Sequence, residues 1–288
     1  FLWIAVDGPN VLDGMEIRAM GRFDLLYAGF YRADLATGRL TEASAKELLK
    51  YFWIKFFAKT QGKRFGKPFL FGPDANELSR LAIAAYHEMR VVDPKFHIRL
   101  AARTAPDFIE QVLACIQDGC TSMALVNDER LVETLRRNGK APADAEDYIL
   151  IGCYEPAVQG KELNCSGASG LNLAQPVAEA LAAGEHASFD EFLAAYFRIL
   201  DRHFATVADR VRRWERLWPR ISPTPLLSGT MDACLERVLD VAEAGAEYNT
   251  SGCCCSGLAD AVDSLAAVEQ LVYLDRKSTR LNSSHGKL

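Results

Sequence analysis

No two of the eight cysteines stand in a Cys-x-x-Cys pair, and they form no spaced framework. The first absence argues against a structural zinc site, the second against a small secreted disulfide scaffold. No apolar run reaches the ~18 residues a membrane-spanning helix needs, so no membrane is expected as a partner. Charge of one sign is scarce too: 33 Lys and Arg stand against 38 Asp and Glu, a formal net charge of -5. Nothing resembles a basic stripe or an RNA-binding module, so no nucleic acid is expected either. The one basic cluster, Arg210, Arg212, Arg213 and Arg216, falls on a predicted helix and reads as a solvated face. No secretory signal is visible, although the chain begins at Phe1 rather than Met. A cytoplasmic protein with reduced thiols is the expectation. No repeat or low-complexity linker divides the sequence, so residues 1–275 read as one domain.

What is present is an alternation of helix and strand signals. Residues 41–57 place Leu48, Leu49, Phe52, Trp53 and Phe56 at helical spacing, and residues 76–90 do the same with Leu78, Leu81, Ala82, Ala85 and Met89. Residues 96–100 look extended. Thr104-Ala-Pro-Asp107 reads as a capping-box-like helix start with Pro in the first turn, closed by Gly119. Residues 123–126 read as a buried strand, 129–138 as a helix ended by Gly139, and 148–151 as a second buried strand. This rhythm predicts an α/β core, barrel-like in kind. The second half is more helical. Ser188-x-x-Glu191 opens a long helix to about Trp218, residues 221–225 form a loop, 231–243 a helix, 249–257 a turn, and a last helix runs to about Tyr273. Beyond it the periodicity stops. Residues 276–288 resemble a translated sequencing adapter and are expected to be non-native, with the natural sequence ending near Asp275.

Gly152-Cys153-Tyr154-Glu155-Pro156 follows the strand at 148–151 directly. The end of a strand projects into the crevice where α/β active sites collect. Pro156 biases Glu155 to an extended conformation. An extended backbone would send the side chains of Cys153 and Glu155 to one side. A thiol and a carboxylate would then face one pocket, which suits a sulfur nucleophile or radical paired with a general base. Taken alone, a Cys-x-Glu in a loop is more often structural.

The pentapeptide resembles the thiyl-radical motif of glycyl radical enzymes, the pyruvate formate-lyase-like family, and it does not stand alone. Asp74-Ala-Asn-Glu-Leu-Ser79 is similar to the family's Asn-Glu-Leu-Ser block. Asn127-Asp128 and Asp144-Ala-Glu-Asp-Tyr148 are similar to the run before the cysteine. Tyr248-Asn-Thr-Ser-Gly252, Gly257-Leu-Ala and Asp263-Ser-Leu-Ala-Ala267 are similar to a block after it. The resemblance implies a fragment of a ten-stranded α/β barrel. It implies a radical lyase in which Cys153, as a thiyl radical, abstracts hydrogen from a small hydroxylated or carboxylated metabolite, and in which Glu155 takes a substrate proton. Elimination or decarboxylation would follow. It further implies no small cofactor bound to this chain, a glycyl radical installed by an S-adenosylmethionine-dependent iron–sulfur activase, anaerobic metabolism and a homodimer when complete.

Three departures qualify that reading. The radical-glycine segment, an Arg-Val-x-Gly-Tyr-like stretch, is absent, so this chain by itself is expected to be inactive. Gly152 precedes Cys153 where formate-lyases proper carry a second cysteine, which places the chain nearer the Gly-Cys-x-Glu-Pro branch. The His-Asp pair of diol dehydratases and choline lyases, fourteen residues past the cysteine, is replaced by Ser166-Gly167. Residues 164–170, small and polar, read as a tight loop or as room for a different substrate. An inactive homologue, or a thiol hydrolase using Cys153 with a distant His, are the alternatives. Cys253, Cys254 and Cys255 read as packing in a turn. His87, His186 and His203 fall on predicted helices without a partner motif. His97, in a predicted strand, draws slightly more suspicion.

Overall fold

The computed structural model describes residues 19–60, 67–152 and 154–275. Cys153 and the 276–288 tail lie outside the described residues. The fold is mixed α/β and divides into two units, residues 1–163 with 224–248, and 164–223 with 249–288.

In the first unit, α1 (Phe23–Ala36) and α2 (Glu42–Thr60) precede β1 (Phe69–Phe71). Then come α3 (Glu77–Met89), β2 (Phe96–Leu100), α4 (Pro106–Gln117) and β3 (Met123–Asn127). The three strands form a parallel sheet in the order β1-β2-β3, with Leu70 opposite His97 and His97 opposite Ala124. Parallel neighbours require crossover helices, and α3 and α4 supply them. Alternation along a strand sends Phe69, Phe71, Phe96 and Ile98 into one aromatic-rich core with Trp53 and Tyr86, all fully buried. Leu70 joins a second cluster with Val132, Leu135, Tyr148 and Leu150. That cluster is built by α5 (Asp128–Arg137), α6 (Pro142–Glu146) and the antiparallel hairpin of β4 (Tyr148–Ile151) and β5 (Glu155–Val158).

The polar blocks along this unit act chiefly as caps and ties. Asn76 accepts from the backbone N–H of Leu78 and Ser79, and the Ser79 hydroxyl is within reach of Asn76 N–H, closing a capping box on α3. The Asn76 side chain also donates to the Asp24 carbonyl, and the Ser79 hydroxyl to the buried Asp24 carboxylate. Burial pushes the Asp24 pKa up, against the hydrogen bonds from Gly72 and Ser79 that favour its charge. Asn127 caps α5 by accepting from Arg130 N–H.

After residues 164–223, which belong to the second unit, the first unit resumes with a short helix Pro225–Ser228, a helix Asp232–Arg237, a 3-10 turn Val241–Glu243 and the start of a strand at Tyr248. Sequence periodicity predicts one helix over 231–243. The chain instead breaks at Val238 (φ 54) because Asp240 uses its carboxylate to cap the following turn and to bind Thr224.

In the second unit β6 (Glu162–Asn172) pairs with β7 (Tyr248–Ser256). Both contradict the sequence reading, which made 164–170 a loop and 249–257 a turn. Glycines and small polar residues carry weak strand propensity, and here each strand's partner supplies what propensity does not. Helices α7 (Gln175–Ala182), α8 (Phe189–Ile221) and α9 (Leu258–Val268) bury Val177, Phe192, Tyr196, Ile199 and Ala261 together. Ser188 caps α8 as expected, accepting from Glu191 N–H. Arg210, Arg212, Arg213 and Arg216 are exposed on α8, as the solvated-face reading requires.

Two smaller expectations also fail. Thr104 does not cap α4. Its hydroxyl accepts from Ala101 N–H instead, and Pro106 starts the helix without a side-chain cap. Strand β3 is not buried. It lies at the edge of the described sheet, and Leu125 is exposed.

Candidate functional site

The site is built from the β4–β5 hairpin. Ile151 pairs with Glu155, leaving Gly152, Cys153 and Tyr154 as its tip in sequence. Gly152 has φ 52, and Tyr154 has φ 89. The second value is rare for a residue with a Cβ and marks local strain of the kind that collects at functional sites. Tyr154 N–H donates to the Ile151 carbonyl at 3.0 Å, closing the turn. Glu155 is the first residue of β5 and half-buried, so the extended backbone predicted from Pro156 is present there.

The hairpin is anchored at its base. Arg99, on β2, is fully buried and donates to Asp128 at 2.6 Å and to the Glu146 carbonyl at 3.0 Å. The Tyr148 hydroxyl, at the first residue of β4, donates to the same Asp128 oxygen at 3.1 Å. Burial, with Asp128 beside it, pushes the Tyr148 pKa well up, so the phenol stays a donor. The Arg99 guanidinium lies 4.2 Å over the Tyr148 ring. From the other side Asp144 accepts from Lys161 at 2.6 Å and from the Tyr248 hydroxyl at 2.7 Å. Lys161 and Tyr248 hold the Asp144 pKa below the usual carboxylate range. Thus Asp128, Asp144, Tyr148 and Tyr248, all singled out by resemblance, fix the segment that leads to the cysteine.

His97 lies on β2 two residues before Arg99, with its ring fully buried. Its ring centroid is 5.0 Å from that of Tyr154. Neither ring nitrogen makes a well-formed hydrogen bond among the described residues, although the Leu150 carbonyl acts on the ring. The Leu150 carbonyl favours the protonated ring, but burial and the Lys95 charge outweigh it and push the pKa down to about 4.

The other candidates are placed away from such a setting. His87 bonds Asp118 at 2.8 Å on the surface of the first unit, and His203 meets Glu179 at 3.1 Å in the second. His186 is not on a helix. It lies in the loop before α8, with Nε2 3.2 Å from the Ala180 carbonyl. Cys253, Cys254 and Cys255 lie on β7, not in a turn. No cluster of His, Cys, Asp and Glu among the described residues could hold a metal ion. A separate cleft at the sheet's end sets Arg99, Arg103 and Arg136 against Asp128, Glu129 and Glu133. Its mixed charges give no preference for an ion of either sign.

The sequence model of the family described as pyruvate formate lyase-like matches residues 12–66 and 72–285. The chain belongs to this family of glycyl radical enzymes. Among curated relatives, it is 24% identical over 293 residues to (2S)-3-sulfopropanediol dehydratase of Klebsiella oxytoca, covering 89% of this chain and 36% of that protein. It is 26% identical over 298 residues to isethionate sulfite-lyase of Nitratidesulfovibrio vulgaris, covering 90% and 36%. Among solved structures, a glycyl radical enzyme from Archaeoglobus fulgidus superposes with a TM-score of 0.78 at 25% identity, over 87% of this chain and 37% of that one. The chain therefore has part of the glycyl radical enzyme barrel fold, and it spans little more than a third of the length of these pyruvate formate lyase-like relatives. No helix among the described residues is long and apolar enough to cross a membrane.

Proposed function

We propose that the complete protein is a radical lyase of the eliminating kind, with Cys153 as hydrogen-atom carrier and Glu155 as general base. The observation that carries this reading is the Gly152–Pro156 motif, which runs in sequence from the end of β4 into β5, within a chain that matches a glycyl radical family along most of its length. The radical glycine, in a segment this sequence lacks, supplies a hydrogen-atom acceptor for the Cys153 thiol. The sulfur, one hydrogen short, takes a hydrogen atom from a substrate carbon and leaves the radical there. Glu155 accepts the proton of a hydroxyl on that carbon, which builds electron density beside the neighbouring bond and expels its substituent. The thiol then returns its hydrogen atom to the product carbon, so the sequence is redox-neutral.

The substrate class is a small hydroxylated metabolite with a leaving group on the adjacent carbon. The two curated relatives named above, one a dehydratase and one a sulfite-lyase, support that class. Decarboxylation of a carboxylated metabolite is the alternative outcome of the same hydrogen abstraction. An S-adenosylmethionine-dependent activase is the proposed partner, a homodimer the proposed assembly and the anaerobic cytoplasm the proposed setting. Residues 1–275 are proposed to belong to one barrel domain, with 276–288 foreign to it.

The test begins with the source DNA beyond the codon for Asp275. The completed protein, activated without oxygen, is expected to show a glycyl radical by electron paramagnetic resonance and to turn over isethionate or 3-sulfopropanediol, or another vicinally substituted alcohol. Cys153→Ser should keep the radical and lose turnover. A reading frame without a radical glycine would overturn the proposal and favour an inactive homologue. Turnover of simple esters in air would favour a thiol hydrolase.

A further inference from the structure

We propose that His97 is a positioning residue for the cysteine turn, acting through its ring contact with Tyr154. The inference rests on the radical-lyase reading and adds a residue to that site.

Three observations converge on it. Tyr154 stands between Cys153 and Glu155 in sequence, so its backbone sets the relation between the two. Its φ of 89 is unfavourable for a residue with a Cβ, and strain of that kind persists only when surrounding structure over-determines it. The turn's own hydrogen bond, Tyr154 N–H to the Ile151 carbonyl, is one restraint. The second is the side chain. Tyr154 is half exposed, yet its ring meets His97 at 5.0 Å, tilted by 54°, and the Lys95 ammonium lies 5.7 Å from the ring centroid.

The identity of residue 97 is the third observation. Its neighbours Phe96 and Ile98 enter the aromatic core, while His97 and Arg99 fall at the alternate positions of β2. Arg99 anchors the base of the hairpin through Asp128 and Tyr148. His97 meets its tip. One strand thus holds the hairpin at both ends. A fully enclosed imidazole without a well-formed hydrogen bond among the described residues, although the Leu150 carbonyl acts on it, is costly as packing alone. What the position supplies to Tyr154 is a ring, and a phenylalanine would supply one too. Its neutral ring, the state favoured by burial and by Lys95, packs tilted against Tyr154.

The test uses the complete enzyme in its radical form and reads hydrogen transfer without a substrate. Thiol hydrogens exchange with deuterium oxide. Each reversible transfer between Cys153 and the radical glycine then places deuterium on the glycine carbon, and the proton-split resonance signal collapses. His97→Ala should slow that collapse by roughly ten-fold or more, since small misplacements of reacting groups carry penalties of that order. His97→Phe, which keeps a ring against Tyr154, should restore most of the rate. Tyr154→Ala removes the other partner from a half-exposed position, so it guards against a folding failure at residue 97. It should slow the collapse as much as His97→Ala, and the double variant should be no slower than either single one.

Wild-type exchange rates in both single variants would overturn the proposal, as would additive losses in the double variant or equal losses in His97→Ala and His97→Phe. Cys153→Ser serves as the separate control. Exchange that survives it would sink the assignment of Cys153 itself, whatever His97 does.

Discussion

Arg99 and Asp128 form a buried ion pair at 2.6 Å, and both side chains are almost fully enclosed. A pair in that setting is weak evidence of net stability, because desolvation consumes most of the attraction. Breaking it is another matter. Asp128→Ala leaves the Arg99 charge buried and also strips the Tyr148 hydroxyl of its acceptor. The expected loss is about 3–5 kcal/mol, read as a lowered midpoint in denaturant. Asp128→Asn keeps an acceptor for Tyr148 and should recover part of the loss. A change under ~1 kcal/mol in Asp128→Ala would show that the network does not hold the hairpin.

A second prediction concerns the turn after β1. Gly72 has φ 76, and a Cβ built there would lie 2.8 Å from the Arg99 carbonyl oxygen. Its N–H donates to the buried Asp24 carboxylate at 2.8 Å, so the backbone cannot readily shift away. Gly72→Ala should therefore destabilise by at least ~1–2 kcal/mol. Gly167 is the contrast. Nothing lies within 4 Å of its built Cβ, and its φ is not positive. Gly167→Ala is expected to change the melting midpoint little.

Several strands and helices of the first unit are legible in the sequence because their signals are local, whereas α1, β1 and β5 are not read there. Residues 96–100 and 148–151 coincide with β2 and β4, and Asn76 caps α3 where the periodicity starts. The failures have long-range causes. β6 and β7 are read as loop and turn because each becomes a strand only through the other. Asp240 breaks a predicted helix by binding Thr224, sixteen residues away. At the site, the extended backbone of Glu155 follows from Pro156. The role of His97 does not, since the sequence cannot reveal that its ring meets a tyrosine 57 residues later.

His97 also makes a pH prediction. Its folded pKa is pushed down to about 4 from the ordinary 6.5, chiefly by burial. The native state therefore prefers the neutral ring. No stability difference arises from this group above pH 6.5, where both states are neutral. As the pH falls from 6.5 towards 4, the unfolded chain gains a proton that the native protein resists, and stability is lost. The loss amounts to at most about 3 kcal/mol at 1.36 kcal/mol per pKa unit. Melting curves of the wild type and His97→Gln, compared at pH 7 and pH 4, should show a flatter acid limb in the variant. Parallel limbs would mean that the histidine does not titrate differently on folding.

Glu155 is the residue through which the chemistry can be separated from the radical. If Glu155 is the base that accepts the substrate proton, Glu155→Gln removes the basic oxygen with little change in size. The completed enzyme should then lose about 10²–10⁴-fold in kcat, while the glycyl radical forms normally and still exchanges its hydrogen with deuterium oxide through Cys153. That split follows from the two roles, since hydrogen-atom transfer through sulfur needs no proton acceptor, whereas departure of the leaving group does. Glu155→Asp keeps the carboxylate but withdraws it by one methylene, and should lie between the two. A Glu155→Gln enzyme that turns over at the wild-type rate would remove Glu155 from the mechanism and leave Pro156 and the strained Tyr154 as reasons for the motif. Loss of exchange together with turnover would instead make Glu155 a structural support of the turn.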